Sequence, residues 1–441
     1  EGLKEASEMS VLNANYLAKK LGGLYPLAHK GHCMHEFVLN GGPLKHETGV
    51  STLDVAKAVI EAGFHPPTIY FPLIVPEALM VEPTETESVE TLDRFADAME
   101  EIVAKARSEG PEAFRGLPTS RHEAACASGS MAILAASAEI EAGRYDVALV
   151  AGIEHMKTVD AAAGGEFLGT AAWYEKEAKG VAFPFPALFG KLGDEYEQRY
   201  GLSADHLTRI SDINFENARR NPLAQTREWP ANPEKMQQVL TGRIRICDAS
   251  QVTDGAVAVV LASKAYTERY IASRGGDARG VSKIEGWGHR TATMSFAEKM
   301  AESATAPYVL PHTRRAIVDA FKRAGIEDAW SLDAIETHDC FTTSEYMAID
   351  HFGITEPGES WKAIEAGTIA FDGKLPINPS GGLIGAGHPV GATGVRQLLD
   401  AHRQVVGSAG AYQVAGARRV ATLNLGGSGT TSACFVVGSA S

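Results

Sequence analysis

Several features common in other protein classes are missing from this 441-residue chain. It has only five cysteines, an odd number placed singly, so we expect a reducing compartment and no disulfide framework. No apolar run reaches the length of a membrane-spanning helix, and no signal-peptide pattern opens the chain. The net charge of -14 argues against nucleic-acid binding as the main function. We therefore expect a cytoplasmic protein without membrane or nucleic-acid partners.

Two common ligand signatures are missing as well. The glycine-rich stretch 378–394 has no Gly-Lys-Ser/Thr ending and fits no dinucleotide pattern, which makes a phosphate loop a weak interpretation. His338 and Cys340 could form half of a zinc site, but no second closely spaced Cys/His pair accompanies them. We therefore predict no metal site and no redox cofactor.

Cys126 is the first residue that points to chemistry. It ends a short extended run and precedes a predicted helix, 127–142, in which apolar residues recur at helical spacing. A thiol at a helix N-terminus faces unpaired N–H groups and the positive end of the helix dipole, which favours the thiolate. Small neighbours on both sides leave room for a substrate. Taken alone, a buried structural cysteine stays an open alternative, because free cysteine is among the most buried residue types.

Three further residues support a catalytic role for Cys126. His388 lies in the glycine-rich stretch, where the backbone must turn tightly or approach a ligand. A histidine with a pKa near neutrality can take a proton from a thiol. His338 and Cys340 lie between a predicted strand, 333–337, and a predicted helix, 342–351. A second thiol beside a histidine can act as a general acid or base.

With these motifs in order, residues 119–441 resemble a thiolase, and most of all the sterol-carrier-protein type, which shares the His-Asp-Cys-Phe block at 338–341. The resemblance implies that Cys126 is the acylated nucleophile and that His388 activates it. It implies that Cys340 moves the α-proton of acetyl-CoA and that His338 helps to bind the thioester oxygen. The implied activity is that of an acetyl-CoA C-acyltransferase, which cleaves 3-ketoacyl-CoA or condenses acyl-CoA units without a cofactor.

The resemblance also implies supporting positions. The loop 426–429, Gly-Gly-Ser-Gly, matches the family's second oxyanion element, where an N–H near Gly426 acts with that of Cys126. Asn424 stands where most thiolases have a second catalytic cysteine, and the sterol-carrier type is similar in having moved that function to the position of Cys340. The implied partners are acyl-CoA and acetyl-CoA, and we expect a homodimer or homotetramer. The predicted substrate-binding positions are Arg219, Arg220, Ser250 and Gly387, although a solvated helix face stays an alternative for either arginine.

The thiolase-like part contains an internal repeat. After Cys126 come a helix and the predicted strands 147–152 and 256–262, and after His388 come a helix and the predicted strands 420–426 and 432–437. Such duplication indicates two similar α/β halves with the site between them. The stretch 157–245 occupies the position of the loop domain that covers CoA in thiolases, and Cys434 is expected in the core.

The first quarter of the chain shows a different resemblance. Residues 1–113 are similar to the C-terminal end of glycine dehydrogenase (decarboxylating), with matches such as Cys33-Met-His-Glu-Phe-Val-Leu and Gly63-Phe-His-Pro-Pro-Thr-Ile-Tyr-Phe-Pro. The cofactor lysine of that enzyme would lie upstream of residue 1, so no pyridoxal phosphate is expected. Helices at 6–21, 52–62 and 88–106 and strands at 34–39 and 78–82 predict a small α+β unit.

These observations predict an α/β protein with thiolase-like duplicated α-β-α-β-α layers, a truncated first half and a small N-terminal α+β domain. The predicted domains are 1–113, 114–280 and 281–441. A thiolase should begin with strand, helix, strand and helix before the nucleophile, and those elements are missing here. We therefore predict an incomplete first sheet and reduced activity. A non-catalytic or impaired fusion protein and a ketoacyl synthase-like condensing enzyme are the alternatives.

Overall fold

A computed structural model describes residues 2–117, 120–230 and 232–440. The chain divides into two compact units, 1–121 and 122–441. Among the described residues, no helix combines the length and the apolar character that crossing a membrane requires.

The helices, in chain order, are α1 (Gly2–Leu21), α2 (Gly42–Thr48), α3 (Thr52–Glu61), α4 (Val89–Glu109), α5 (Ser128–Glu141), α6 (Ala161–Gly169), α7 (Pro184–Tyr200), α8 (Ala204–Ala218), α9 (Pro233–Met236), α10 (Lys264–Ser273), α11 (Phe296–Ser303), α12 (Pro311–Ala324), α13 (Thr342–Phe352), α14 (Ser360–Glu365), α15 (Gly382–Ala386) and α16 (Thr393–Val405). The strands are β1 (Phe37–Asn40), β2 (Thr68–Ile69), β3 (Ala78–Val81), β4 (Val147–Glu154), β5 (Val239–Thr241), β6 (Ile244–Arg245), β7 (Gly255–Ala262), β8 (Ser282–Thr291), β9 (Ala334–Glu336), β10 (Arg419–Gly426) and β11 (Thr431–Ser439).

The first unit contains a three-stranded antiparallel sheet in the order β1-β3-β2. Leu39 and Leu79 pair across β1 and β3, and both belong to a core that α1, α3 and α4 complete. The helix predicted at 52–62 is α3, which Ser51 begins with a full capping box. The strand predicted at 34–39 begins only at Phe37. The backbone of Cys33 instead bonds both ways with the side-chain amide of Asn15, so that stretch is held without strand pairing.

The C-terminal half of the second unit contains a four-stranded sheet in the order β8-β11-β10-β9. β10 pairs parallel with β9 and antiparallel with β11, and β11 pairs antiparallel with β8. Both β10 and β11 are buried along nearly their whole length. Helix α12 lies so close to β8 that a Cβ at Gly288 would stand 1.8 Å from the carbonyl oxygen of Ala316. This half therefore has the layered arrangement that the internal repeat predicts.

The N-terminal half of the second unit is less complete. β4 pairs antiparallel with β7, and in the described part of the chain neither strand has another partner. Val150 and Gly152 are buried on one face, whereas Leu149 and Ile153 on the other are each 70% exposed. An antiparallel sheet that borders water normally alternates apolar and polar residues, but this pair is apolar on both faces. The first sheet is incomplete, as the sequence predicts.

The two halves meet where α5 crosses α16. Gly129 is the second residue of α5, and a Cβ there would lie 2.8 Å from the backbone nitrogen of Val395. Gly394 is the second residue of α16, and a Cβ there would lie 2.4 Å from the backbone nitrogen of Ser130. Only glycine allows this approach on both sides. The crossing brings together the loops that precede the two helices, which carry Cys126 and His388.

Candidate active site

Cys126 lies in a short 3-10 turn, residues 125–127, directly before α5. Ala125 adopts a positive φ of 51°, and its N–H donates to the Glu123 carboxylate at 2.8 Å. The Ser128 hydroxyl contacts the Glu123 carboxylate and the Ala125 carbonyl, which ties this turn to the first turn of the helix. Cys126 as a whole residue is half-buried, but its sulfur is surrounded by protein.

The expectation of a resting thiolate at Cys126 is wrong. Burial of the sulfur raises its pKa to about 12, and the charges of Glu154 and Glu123 raise it further. The partial charge of a helix N-terminus is too small to offset desolvation together with two carboxylates. With so high a pKa, the Cys126 thiol is neutral near pH 7.

Both the backbone and the ring of His388 are held by hydrogen bonds. Its backbone N–H donates to the Gln251 carbonyl at 3.0 Å, which places it beside the chain that leads into β7. Its Nδ1 lies 2.7 Å from the hydroxyl oxygen of Thr393, and that hydroxyl donates its own hydrogen to the Pro389 carbonyl at 2.9 Å. Burial, with smaller contributions from His338 and Arg396, holds the pKa of His388 well below its ordinary value. The imidazole is therefore neutral.

His338 follows β9 and is buried. Its Nδ1 lies 3.1 Å from the Asn424 side-chain nitrogen, and the Asn424 oxygen accepts from the Ser130 hydroxyl at 2.8 Å. Burial, and then the charge of Arg396, lowers the pKa of His338 to about 3. The His338 and His388 rings meet edge to face, with centroids 5.3 Å apart.

The second thiol, Cys340, is buried and follows His338 by two residues. Burial raises its pKa well above the ordinary value, and the nearby Cys126 thiol raises it further. Its sulfur lies 3.9 Å from the Ser344 hydroxyl, and its carbonyl accepts from the Ser250 N–H at 2.9 Å. The His-Asp-Cys-Phe block is thereby connected to the loop before β7.

The structure brings three of the predicted catalytic residues together. The Cys126 sulfur, one ring nitrogen of His338 and one ring nitrogen of His388 all lie within 4.8 Å of one another. No other group of three such residues with metal-ligand spacing occurs in the described parts of the chain. A thiol beside two neutral imidazoles can perform nucleophilic attack, proton transfer and hydrogen bonding to an oxyanion.

A buried acidic network that the motifs did not predict supports these loops. The Asp339 carboxylate accepts from the backbone N–H groups of Leu383 and Ile384, which fixes the glycine-rich stretch against the block at 338–341. The Asn214 amide donates to both Asp339 and Glu345. Burial raises the pKa of Asp339 to about 6. Sequence spacing could not reveal this network, because its members come from four separate segments.

The loop after β10 is held by a buried cation. Lys299 donates to the Ser428 carbonyl, the Ser428 hydroxyl and the Thr430 hydroxyl, each at 2.9 to 3.0 Å. Burial lowers the pKa of Lys299 to about 8. Gly426, at the end of β10, packs on the nucleophile turn so closely that a Cβ there would lie 2.3 Å from the Ala124 carbonyl oxygen. The predicted oxyanion loop and the nucleophile therefore adjoin.

The four predicted substrate-binding residues occupy different surroundings. Gly387 has a φ of 105° and directly precedes His388. Ser250 is half-buried and bonds to Cys340 as described. Arg219 and Arg220 are exposed at the end of α8, and the Arg220 guanidinium lies 4.4 Å from the centre of the Phe371 ring. The two arginines are not part of the buried cluster.

Comparison with known proteins defines the class first. The family described as "Thiolase, N-terminal domain" matches residues 106–237, and "Thiolase C-terminal domain-like" matches 295–439. A solved structure titled "Ltp2-ChsH2(DUF35) aldolase" superposes with a TM-score of 0.56 at 19% identity, over 72% of this chain and 77% of that one, which supports the fold. Acetyl-CoA acetyltransferase of Methanothermobacter thermautotrophicus is 32% identical over 332 residues, 73% of this chain and 80% of the relative. The chain belongs to the thiolase family.

The first unit has other relatives. "Glycine dehydrogenase, C-terminal domain" matches residues 6–113. Probable glycine dehydrogenase (decarboxylating) subunit 2 of Thermotoga maritima is 54% identical over 118 residues, and that of Caldanaerobacter subterraneus subsp. tengcongensis is 61% identical over 119 residues. Each match covers 27% of this chain, and the chain spans only about a quarter of the length of these relatives. The two resemblances expected from the sequence are confirmed.

Proposed function

We propose that the protein is a thiolase-type acyltransferase that transfers an acyl group between CoA thioesters through an acyl-enzyme on Cys126. The observation that carries this proposal is the grouping of the Cys126 thiol with two neutral imidazoles, beside a second buried thiol. Cleavage of 3-ketoacyl-CoA and condensation of acyl-CoA units are the two directions of the same chemistry. No cofactor is assigned to it.

Acylation would begin from a neutral pair. Since Nδ1 of His388 bonds to the Thr393 oxygen, its Nε2 is the nitrogen available to accept a proton. The Cys126 sulfur attacks the thioester carbonyl while its proton passes to His388 Nε2, which avoids a free thiolate. On collapse of the tetrahedral intermediate the C–S bond to CoA breaks, and the CoA sulfur takes that proton. The N–H of Cys126 and an N–H near Gly426 are proposed to bind the oxyanion.

The carbon–carbon step would use the second thiol. In condensation, Cys340 as thiolate removes a proton from the α-carbon of acetyl-CoA, and the enolate carbon attacks the acyl group on Cys126. The C–S bond to Cys126 then breaks, and the departing Cys126 sulfur takes up the proton that Cys340 had removed, which restores both thiols to their starting forms. His338 is proposed to hydrogen-bond to the thioester oxygen that becomes the enolate oxygen. The raised pKa of Cys340 makes its thiolate a strong base, although a scarce one. A second thiol at this place favours a thiolase over a ketoacyl synthase-like enzyme.

Substrate binding is proposed on the four positions described above. Ser250 and Gly387 adjoin Cys340 and His388, which suits contact with the acyl portion. Arg219 and Arg220 are exposed cations that could meet CoA phosphates. A homodimer or homotetramer and a cytoplasmic location belong to the same proposal.

One observation favours a second candidate, a fusion with impaired activity. Strands β4 and β7 have apolar residues on a face that is open in the described structure, with Leu149 70% and Val260 67% exposed. Exposed apolar surface costs about 25 cal/mol per Å² relative to burial. If the nucleophile loop depends on this sheet, turnover will be low even with every catalytic residue in place.

Mass spectrometry after incubation with acetoacetyl-CoA tests the proposal. The wild-type protein should carry an acyl group on Cys126, Cys126→Ala should carry none, and Cys434→Ala, altered in a strand of the core, should be acylated like wild type. An adduct on another cysteine would contradict the assignment. Exchange of acetyl-CoA methyl hydrogens with deuterated solvent should stop in Cys340→Ala, while acylation of Cys126 by acetyl-CoA, which needs no α-proton transfer, continues. Measured turnover then separates an active enzyme from an impaired fusion.

A further inference from the structure

A chain of three buried polar side chains ends on His338, and the chemistry above does not account for it. The Ser130 hydroxyl donates to the Asn424 oxygen at 2.8 Å, and the Asn424 nitrogen lies 3.1 Å from Nδ1 of His338. Each of the three residues is 1% exposed. Ser130 belongs to the first turn of α5, four residues after Cys126, and Asn424 belongs to β10. The chain therefore links the nucleophile helix to a histidine on another segment.

The direction of these hydrogen bonds follows from the hydroxyl. If the Asn424 amide were rotated by half a turn, its nitrogen would donate to Ser130 and its oxygen would accept from His338. The Ser130 hydroxyl hydrogen would then need another acceptor, and none bonds to it within the described residues. A buried donor without an acceptor is unfavourable, so the arrangement with Ser130 as the donor is preferred.

This direction determines which nitrogen of His338 carries the hydrogen. Nδ1 accepts from Asn424, so in the neutral ring the hydrogen is on Nε2. His388 has the opposite arrangement, because Thr393 gives its hydrogen to Pro389 and must accept from His388 Nδ1. One histidine thus offers a lone pair at Nε2, as a base requires. The other offers an N–H there, as an oxyanion requires.

We propose that Ser130 and Asn424 are positioning residues that hold His338 in the Nε2–H tautomer, so that its ring donates to the thioester oxygen of acetyl-CoA. The proposal rests on the proposed function. While Cys340 takes the α-proton, negative charge grows on that oxygen, and His338 supplies a hydrogen bond without giving up its proton. In the other tautomer the Nε2 lone pair would face the developing charge and would oppose it.

Nitrogen-15 NMR of the full chain with labelled histidine tests the tautomer directly. In wild type at pH 8, His338 should show a protonated Nε2 and an unprotonated Nδ1. Asn424→Asp replaces the donor to Nδ1 by an acceptor, so the hydrogen should move to Nδ1. An unchanged His338 tautomer in Asn424→Asp with its carboxylate ionised would overturn the proposal.

The rate of acetyl-CoA methyl exchange in deuterated water gives a second measurement. Loss of one oxyanion donor typically costs about 10²-fold or more in rate. We expect a fall of that order in Asn424→Asp, with Cys126 still acylated by acetyl-CoA, because acyl transfer from that thioester does not pass through the enolate. Acylation without any loss of exchange would also overturn the proposal. If wild type itself is not acylated, the proposed function fails, whereas the NMR result still decides the tautomer.

Two less disruptive variants test the proposal if Asn424→Asp does not fold. Ser130→Ala removes only the anchoring hydroxyl, and we expect a mixture of His338 tautomers with a slower exchange. Ser130→Thr keeps a hydroxyl and should restore both the single tautomer and the exchange rate. Equal behaviour of the Ala and Thr variants would show that Ser130 merely fills space, which contradicts the positioning role.

Discussion

The crossing of α5 and α16 makes Gly394→Ala the sharpest test of how the site is held. The added Cβ would lie 2.4 Å from the Ser130 nitrogen and 2.7 Å from the Asn424 oxygen, whereas ordinary contact begins near 3.4 Å. The neighbours are backbone and a buried side chain, so neither can rotate away. The two helices must therefore separate by ~1 Å, and overpacking of this kind costs about 1–3 kcal/mol of folding free energy.

The same separation moves His388 away from Cys126. A misplacement of ~1 Å in a catalytic pair can lower the rate about 10²-fold. We expect Gly394→Ala to fold with a lower melting temperature and to acylate Cys126 about 10²-fold more slowly. Rapid-quench mass spectrometry with acetoacetyl-CoA measures the rate, and thermal unfolding followed by circular dichroism measures the stability.

Two control variants test whether the effect follows the size of the clash that the added Cβ makes. A Cβ at Gly129 would lie 2.8 Å from the Val395 nitrogen, so Gly129→Ala needs a smaller movement and should have a smaller effect. Gly164 lies inside α6 with its nearest neighbour at 3.8 Å, so Gly164→Ala should change little or add up to about 1 kcal/mol of helix stability. If Gly394→Ala acylates Cys126 at the wild-type rate, the helix crossing does not set the geometry of the site.

Two further predictions concern how the stability of the fold changes with pH because Lys299 and His338 are buried. In the folded protein the pKa of Lys299 is about 8, below its ordinary value of 10.5. Between these two values the unfolded chain binds more protons than the folded chain. The folding free energy of wild type should therefore become more favourable as the pH rises through this range, by at most about 3 kcal/mol. Urea unfolding should show that this gain disappears in Lys299→Met, and a gain of the same size in the variant would contradict the assignment. His338 has a folded pKa of about 3 against an ordinary 6.5, so the stability due to its neutral form is complete above pH 6.5 and is lost as pH falls. When the pH falls from 6.5 to 4, wild type should lose up to about 3 kcal/mol more folding free energy than His338→Asn. Identical pH curves for the two proteins would refute the burial argument.

Sequence patterns predicted the elements that local rules determine. The helix predicted at 52–62, the helix after Cys126 and the strands predicted at 420–426 and 432–437 follow from local signals and apolar spacing, and the structure contains all of them. Strand ends were less predictable, since the stretch before Phe37 is held by a side chain from α1.

Contacts between distant segments could not be predicted in this way. Lys299 bonds to residues some 130 positions later, and nothing in its local sequence indicates that it is buried. The raised pKa of Cys126 was missed for a similar reason. The helix N-terminus is visible in the sequence, whereas the desolvation that outweighs it arises only from packing.

The two-stranded sheet of β4 and β7 holds few of the residues of the candidate site. His338, Cys340, His388 and Asn424 all lie in segments of the C-terminal half, where the sheet has four strands. The turn that carries Cys126 packs on that same half, through Gly426 against Ala124 and through α5 against α16. Even Gly152 of β4 is placed by the C-terminal half, since a Cβ there would lie 2.7 Å from the Cα of Ala392. Assembly of the cluster of Cys126, His338 and His388 therefore depends first on the docking of α5 against α16, and the open face of β4 and β7 acts on it only through the stability of those two strands.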